Sequence, residues 1–205
     1  MSARALIFSL FFLLVAVGTF IYFVAFPPRG SQKGIDLRAQ LHTGEIKRLS
    51  ELPGDLRLIY FGYMNCPDVC LDAALSIGSA LKNLNSDSSV ESDRVTNVFI
   101  TLDPEDDVID GAYNELQGYL ESRYSGAGFA MRPKDRKHAK KMAGAFGVSF
   151  EYVADEFFPL GYRVDHASLI FLTDKQGQIL TYYADRTPGR VIAADAKIYL
   201  GQLDL

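Results

Sequence analysis

The sequence predicts a mixed α/β sheet with helices on both faces, and three features predict it. Leu56–Phe61 (LRLIYF), just after Pro53-Gly54, and Val95–Leu102 read as short buried strands. Each is followed by a segment of helical length, Pro67–Leu84 after the first and Val108–Tyr124 after the second. Near the C-terminus, His166–Thr173 and Gln178–Ala184 flank Asp174-Lys175-Gln176-Gly177, a hairpin signal.

The remaining elements fall around this frame. Asp36–Leu41 and Glu45–Leu49 flank His42-Thr43-Gly44 as a small hairpin. Pro67 sits at a helix start, with Asp68 adding first-turn acidity. The polar stretch Asn85–Asp93 is a loop, and the second buried strand stops at Asp103-Pro104. A short strand is expected near Phe129, a basic helix from Pro133 to Phe146, a strand at Val148–Val153 and a closing helix from Gly189 to Gly201. A buried strand, then a cysteine-bearing loop, then the helix that the loop caps is a thioredoxin-like order.

The 205 residues are 48% hydrophobic and 22% charged, with a formal charge of −4, two cysteines and three histidines. That balance is globular, and the acidity argues against a nucleic-acid partner, which needs a basic face for phosphates. Two cysteines are too few for a four-thiolate zinc site or a disulfide framework.

The apolar residues are unevenly spread. Ala5–Phe26 runs 22 positions without a charge. A helix of that length spans ~33 Å, enough for the ~30 Å hydrocarbon core of a membrane. The run is longer than a signal-peptide core and ends Ala25-Phe26-Pro27-Pro28 with no small-x-small cleavage site. Residues 1–26 are therefore expected to be a single-pass anchor, 27–34 (PPRGSQKG) a linker, and 35–205 one folded domain. Arg29, Lys33 and Arg38 outnumber Arg4, a cytoplasmic-side count, but long domains translocate regardless of such charges.

Cys66 and Cys70 lie in FGYMNCPDVC, at the end of the first buried strand and the start of the next helix. On a helix, an i, i+4 pair shares one face with Cβ atoms roughly 5–6 Å apart. A helix N-terminus also favours the thiolate, the form that binds metal or attacks disulfides. Three readings stand: a pair of structural cysteines, a redox pair, or part of a metal site. The loop leading into Pro67 is not a typical core position. Dithiol oxidoreductases usually place two residues between their cysteines, and here there are three. A metal site needs another ligand, and two soft thiolates with an imidazole would suit copper. Of the histidines, His42 lies in a turn and His138 in the basic stretch KDRKHAKK, both solvated settings. His166 opens the apolar run Ala167–Leu172, at a strand edge.

Taken in order, FGYMNCPDVC, TLDPEDD and VDHASLIFLTDKQGQIL after an apolar N-terminal segment resemble the Sco/SenC family of copper metallochaperones, over most of residues 35–205. The resemblance implies a thioredoxin-like fold and copper, as Cu(I) and in some states Cu(II), held by Cys66, Cys70 and His166. The same two cysteines would form any redox disulfide. The Asp-Pro-Glu-x-Asp element falls on Asp103, Pro104, Glu105 and Asp107. Asp103 and Asp165 are candidates to orient the imidazole. Leu71 stands where many members have proline, and Met64-Asn65 where Thr-His is common.

The implied function is a tethered copper carrier, not an enzyme. Its client would be the copper-centre subunit of cytochrome c oxidase or another copper protein. The domain would face the bacterial periplasm or the mitochondrial intermembrane space. The alternative is a tethered thiol–disulfide reductase that keeps a partner's copper-ligand cysteines reduced.

Overall fold

The computed structural model describes residues 34–66, 69–91, 93–107 and 128–204. The expected anchor at 1–26 and the expected helix at 108–124 lie outside these residues. Among the described residues, no helix is long and apolar enough to cross a membrane.

The chain enters the domain in close contact with a later turn. Ile35 donates its N–H to Gly177 O at 2.9 Å, and a Cβ on Gly34 would come within 1.9 Å of Gln176 O. The first hairpin is as the sequence predicts: β1 (Arg38–Leu41) pairs antiparallel with β2 (Ile46–Arg48) across a turn in which Gly44 has φ +87°. Next comes β3 (Leu56–Gly62), whose seven residues are all buried. Its one charge, Arg57, is met by backbone acceptors: the guanidinium donates to Leu52 O at 2.6 Å and Asp174 O at 3.2 Å.

Helix α1 (Val69–Asn85) connects β3 to β4 (Val95–Thr101), which is also buried throughout and runs parallel to β3. Strand β5 (Gly128–Arg132) lies parallel to β4 on its other side. Helix α2 (Arg136–Ala145) starts at Asp135, whose side chain accepts from His138 N–H as an N-cap. Then β6 (Phe150–Ala154) pairs with β7 (Tyr162–His166), β8 (Leu169–Asp174) with β9 (Ile179–Ala184), and α3 (Gly189–Leu203) ends the domain.

The main sheet has the order β2-β1-β5-β4-β3-β8-β9, and β8 is antiparallel to β3. Alternation along the strands divides the core in two. Leu58, Tyr60 and Phe99 face Ile77 and Leu81 of α1 and Ile192 and Leu200 of α3. Ile59, Phe61 and Ile100 face Met142 and Ala143 of α2, with Phe146 and Phe171 alongside. Helices thus cover both faces of a mixed sheet, as expected.

One region departs from the sequence reading. His166–Thr173 was expected as a single strand, but Ala167 and Ser168 interrupt it. His166 ends β7, in a two-stranded ribbon apart from the main sheet. The strand at Val148–Val153 becomes β6 of that ribbon. In YRVDH only Val164 is buried, so β7 carries almost no apolar signal.

Helices α1 and α3 approach closely where α3 begins. A Cβ on Gly189 would lie 2.5 Å from Ala80 N and 2.6 Å from Ser79 C, both backbone atoms that cannot swing aside. Gly189→Ala should therefore cost about 1–3 kcal/mol in urea unfolding, because the helices must separate. Unchanged stability would mean that the two helices do not touch there.

Candidate metal centre

The site forms where β3 and β4 run out of partners. Gly62 O accepts the N–H of Leu102 at 2.7 Å, and the two strands then diverge into separate loops. After β3 a turn closes with Cys66 N–H on Tyr63 O at 3.3 Å, so Cys66 precedes α1. Cys70 is the second residue of α1. The pair is thus one loop thiol and one helix thiol, not two residues on a helical face. His166 arrives from the end of β7. The two Sγ atoms and the imidazole donor nitrogen all lie within 4.8 Å of one another, and all three residues are half-buried. Neither cysteine is in a disulfide.

Hydrogen bonding fixes the imidazole. Nδ1 is 3.2 Å from Ala167 O, which can only accept, so Nδ1 carries the ring proton. Nε2 keeps its lone pair and faces Cys70 Sγ at 3.9 Å. The rings of Tyr60 and Tyr63 meet the imidazole edge-on, each 6.2 Å between centroids. Tyr60 OH and Ser168 Oγ are 3.0 Å apart.

The sequence predicts a thiolate at the helix start, but for Cys70 the balance runs the other way. Its hydrogen bond with Cys66 and its burial both push the thiol pKa up. Two sulfurs this close share one proton more readily than they carry two charges. Burial and the neighbouring Cys66 also push Tyr63 up to about 12.

Gly62 is a site residue that the motif reading passed over. A Cβ there would lie 2.8 Å from the Tyr60 ring and 3.0 Å from Cys70 Sγ. Beside the thiols, Tyr60, Met64, Leu71 and Phe99 help line a cavity of about 270 Å³. Met64 packs against the core there.

The acidic residues divide the work differently from the sequence reading. Asp165 pairs with Arg163 at 2.7 Å, which holds it below the usual carboxylate range. Asp103 is 1% exposed and accepts from Tyr162 OH at 2.6 Å; burial raises its pKa. The His166 ring proton goes to the Ala167 carbonyl, so neither carboxylate orients it directly. Asp107 instead holds the thiol loop. It accepts the Met64 N–H at 3.0 and 3.2 Å and a short bond from Thr101 Oγ1, and burial pushes its pKa up to about 7. The other histidines accept backbone N–H groups, His42 from Ala130 at 3.4 Å and His138 from Lys134 at 3.1 Å.

Sheet, helices and cluster together define a thioredoxin-like domain with two thiols and an imidazole at the carboxyl end of its buried strands. The chain belongs to the SCO1/SenC family, whose model matches residues 29–201. A SCO2-like protein of Rickettsia felis is 28% identical over 151 residues, covering 73% of this chain and 69% of that one. The copper-bound structure of Bradyrhizobium japonicum ScoI is 26% identical with a TM-score of 0.66, over 82% of this chain and 99% of that one. BsSco is described as carrying a disulfide switch and as a member of the Sco family of cytochrome c oxidase assembly proteins. It superposes with a TM-score of 0.58 at 20% identity, over 82% and 93% of the chains.

Two outcomes follow from this geometry. Gly62→Ala should displace Cys70 Sγ and slow or block closure of a Cys66–Cys70 disulfide, read as oxidation rate with a mild oxidant. An unchanged rate would show that Gly62 does not set the sulfur position. Asp107 has its folded pKa above the unfolded value, so its contribution to stability is greatest below about pH 4 and is lost as pH rises towards 7. Asparagine does not titrate. The stability gap between the natural protein and Asp107→Asn should therefore shrink by about 2 kcal/mol from pH 5 to pH 8 in urea titrations. A constant gap would place the carboxylate in water.

Proposed function

We propose that this protein is a membrane-tethered copper carrier that hands its ion to a copper centre during cytochrome c oxidase assembly. One observation carries the reading: two thiols and an imidazole lone pair converge within 4.8 Å. Sulfur donors about 2.3 Å from a shared ion would lie roughly 4 Å apart, so small shifts suffice to enclose one. Thiolates suit Cu(I), and the imidazole extends the set to Cu(II). The copper-bound ScoI relative supports this cargo.

Cys66 and Cys70 give up thiol protons as they take the ion, and the raised Cys70 pKa makes uptake proton-linked. His166 contributes Nε2 without losing a proton, because the Ala167 carbonyl keeps Nδ1–H in place. Three ligands leave one side of the ion to the acceptor's own donors, which displace them stepwise. Residues 1–26 would anchor the domain in the bacterial inner membrane facing the periplasm, or in the mitochondrial inner membrane facing the intermembrane space.

A second reading has its own support. Two reduced thiols this close at a helix start can also close into a disulfide, and BsSco is described as having such a switch. On that reading the protein reduces a partner's copper-ligand cysteines.

The full-length protein in detergent, loaded with Cu(I) under reducing conditions, should bind one ion. Cys66→Ala/Cys70→Ala should bind essentially none, and His166→Ala should bind at least tenfold more weakly. Copper retained at full stoichiometry by the double cysteine variant would sink the carrier reading. Full cellular function of His166→Ala would favour the reductase, since thiol exchange does not need the imidazole.

A further inference from the structure

The thiols and the histidine ride on separate pieces of chain. Cys66 and Cys70 belong to the β3–α1 connection, whereas His166 belongs to a ribbon with no ladder to the main sheet. Something must hold the two at a fixed spacing.

One loop, Leu102 to Asp107, touches both. Towards the thiols, the Asp107 carboxylate accepts from Met64 N–H, two residues before Cys66. Towards the ribbon, Asp103 Oδ2 accepts from Tyr162 OH at 2.6 Å and Leu102 O accepts from Tyr152 OH at 2.6 Å. From the end of β4, Thr101 Oγ1 joins the halves, donating to Asp107 and accepting the Asp103 N–H at 2.9 Å. Arg136 closes the arrangement. Its guanidinium lies over the Tyr152 ring at 4.0 Å and 5.2 Å from the Tyr162 centroid, with Asp103 at 3.5 Å and Glu105 at 3.1 Å.

Tyr162, Val164 and His166 alternate along β7 and so share one face. Tyr162 meets Asp103, Val164 is buried in the core, and His166 meets Cys70. The inward face of the strand is pinned at one end and presents its ligand at the other.

We propose that Tyr162 and Asp103 are positioning residues for His166: their hydrogen bond fixes the histidine ribbon to the loop that, through Asp107, fixes the thiols. The proposal rests on copper binding by the trio, and a double-variant cycle tests it. Cu(I) affinity is measured by competition with a chromophoric Cu(I) chelator for the full-length protein, Tyr162→Phe, His166→Ala and the combination. Tyr162→Phe keeps the ring and removes one hydroxyl. That hydroxyl also accepts from the Arg136 guanidinium at 3.1 Å, and its loss should weaken binding roughly three- to tenfold. In the His166→Ala background it should change nothing further.

Equal losses in both backgrounds, or no loss in the first, would overturn the proposal. Absence of copper binding by the unaltered protein would instead overturn the function on which it rests. A metal-free readout keeps the two apart. Carbethoxylation of His166 by diethyl pyrocarbonate, followed by mass spectrometry, should be several-fold faster in Tyr162→Phe and Asp103→Asn. An unchanged rate in both would overturn the positioning role even if copper never binds.

Discussion

Burial of β3 and β4 on both faces is the constraint on which the rest depends. The fourteen residues of the two strands are all buried, between α1 and α3 on one side and α2 on the other. Polar chemistry is thereby confined to strand ends, and at the carboxyl ends the ladder finishes with Gly62 and Leu102. Open α/β sheets place their ligands at such ends for the same reason. The thiol loop and the Asp103–Asp107 loop leave adjacent strands side by side. A short turn on one and a carboxylate on the other bring them into contact.

Bringing carboxylates into so enclosed a place is expensive unless their lone pairs are used. Asp107 uses both oxygens on Met64 N–H and Thr101, while Asp103 relies on Tyr162 and the nearby Arg136 charge. Arg136 in turn lies over the Tyr152 and Tyr162 rings. Each group keeps its place only while its neighbours keep theirs.

Much of this was legible in the sequence, and the rest was hidden for physical reasons. LRLIYF and VTNVFIT announced themselves because burial on both faces leaves an unbroken apolar run. The hairpin at Asp174–Gly177 announced itself because its turn needs glycine at φ +80°. The ribbon carrying His166 did not, since YRVDH buries one residue and is held by side-chain contacts from distant chain. Asp103 and Asp107 stood out as a motif, but their partners are set by tertiary contact. Spacing cannot say that Asp107 reaches Met64, or that Asp165 turns to Arg163. The cysteine pair shows the same limit. Its spacing resembled a helical face, whereas the loop before α1 supplies one sulfur. Gly62 was invisible as a site residue because its role is the absence of an atom beside Cys70.

The tight seat of Gly34 and Ile35 on Gln176 and Gly177 has a mechanical consequence. The register of β3 with β8 sets Leu56 opposite Asp174 and Tyr60 opposite Ile170, so the β8–β9 turn lies at the pole away from the thiols. Tension applied through the preceding chain is therefore borne by that turn and the buried ladder behind it. Cys66, Cys70 and His166 lie at the other end of β3, away from that anchorage.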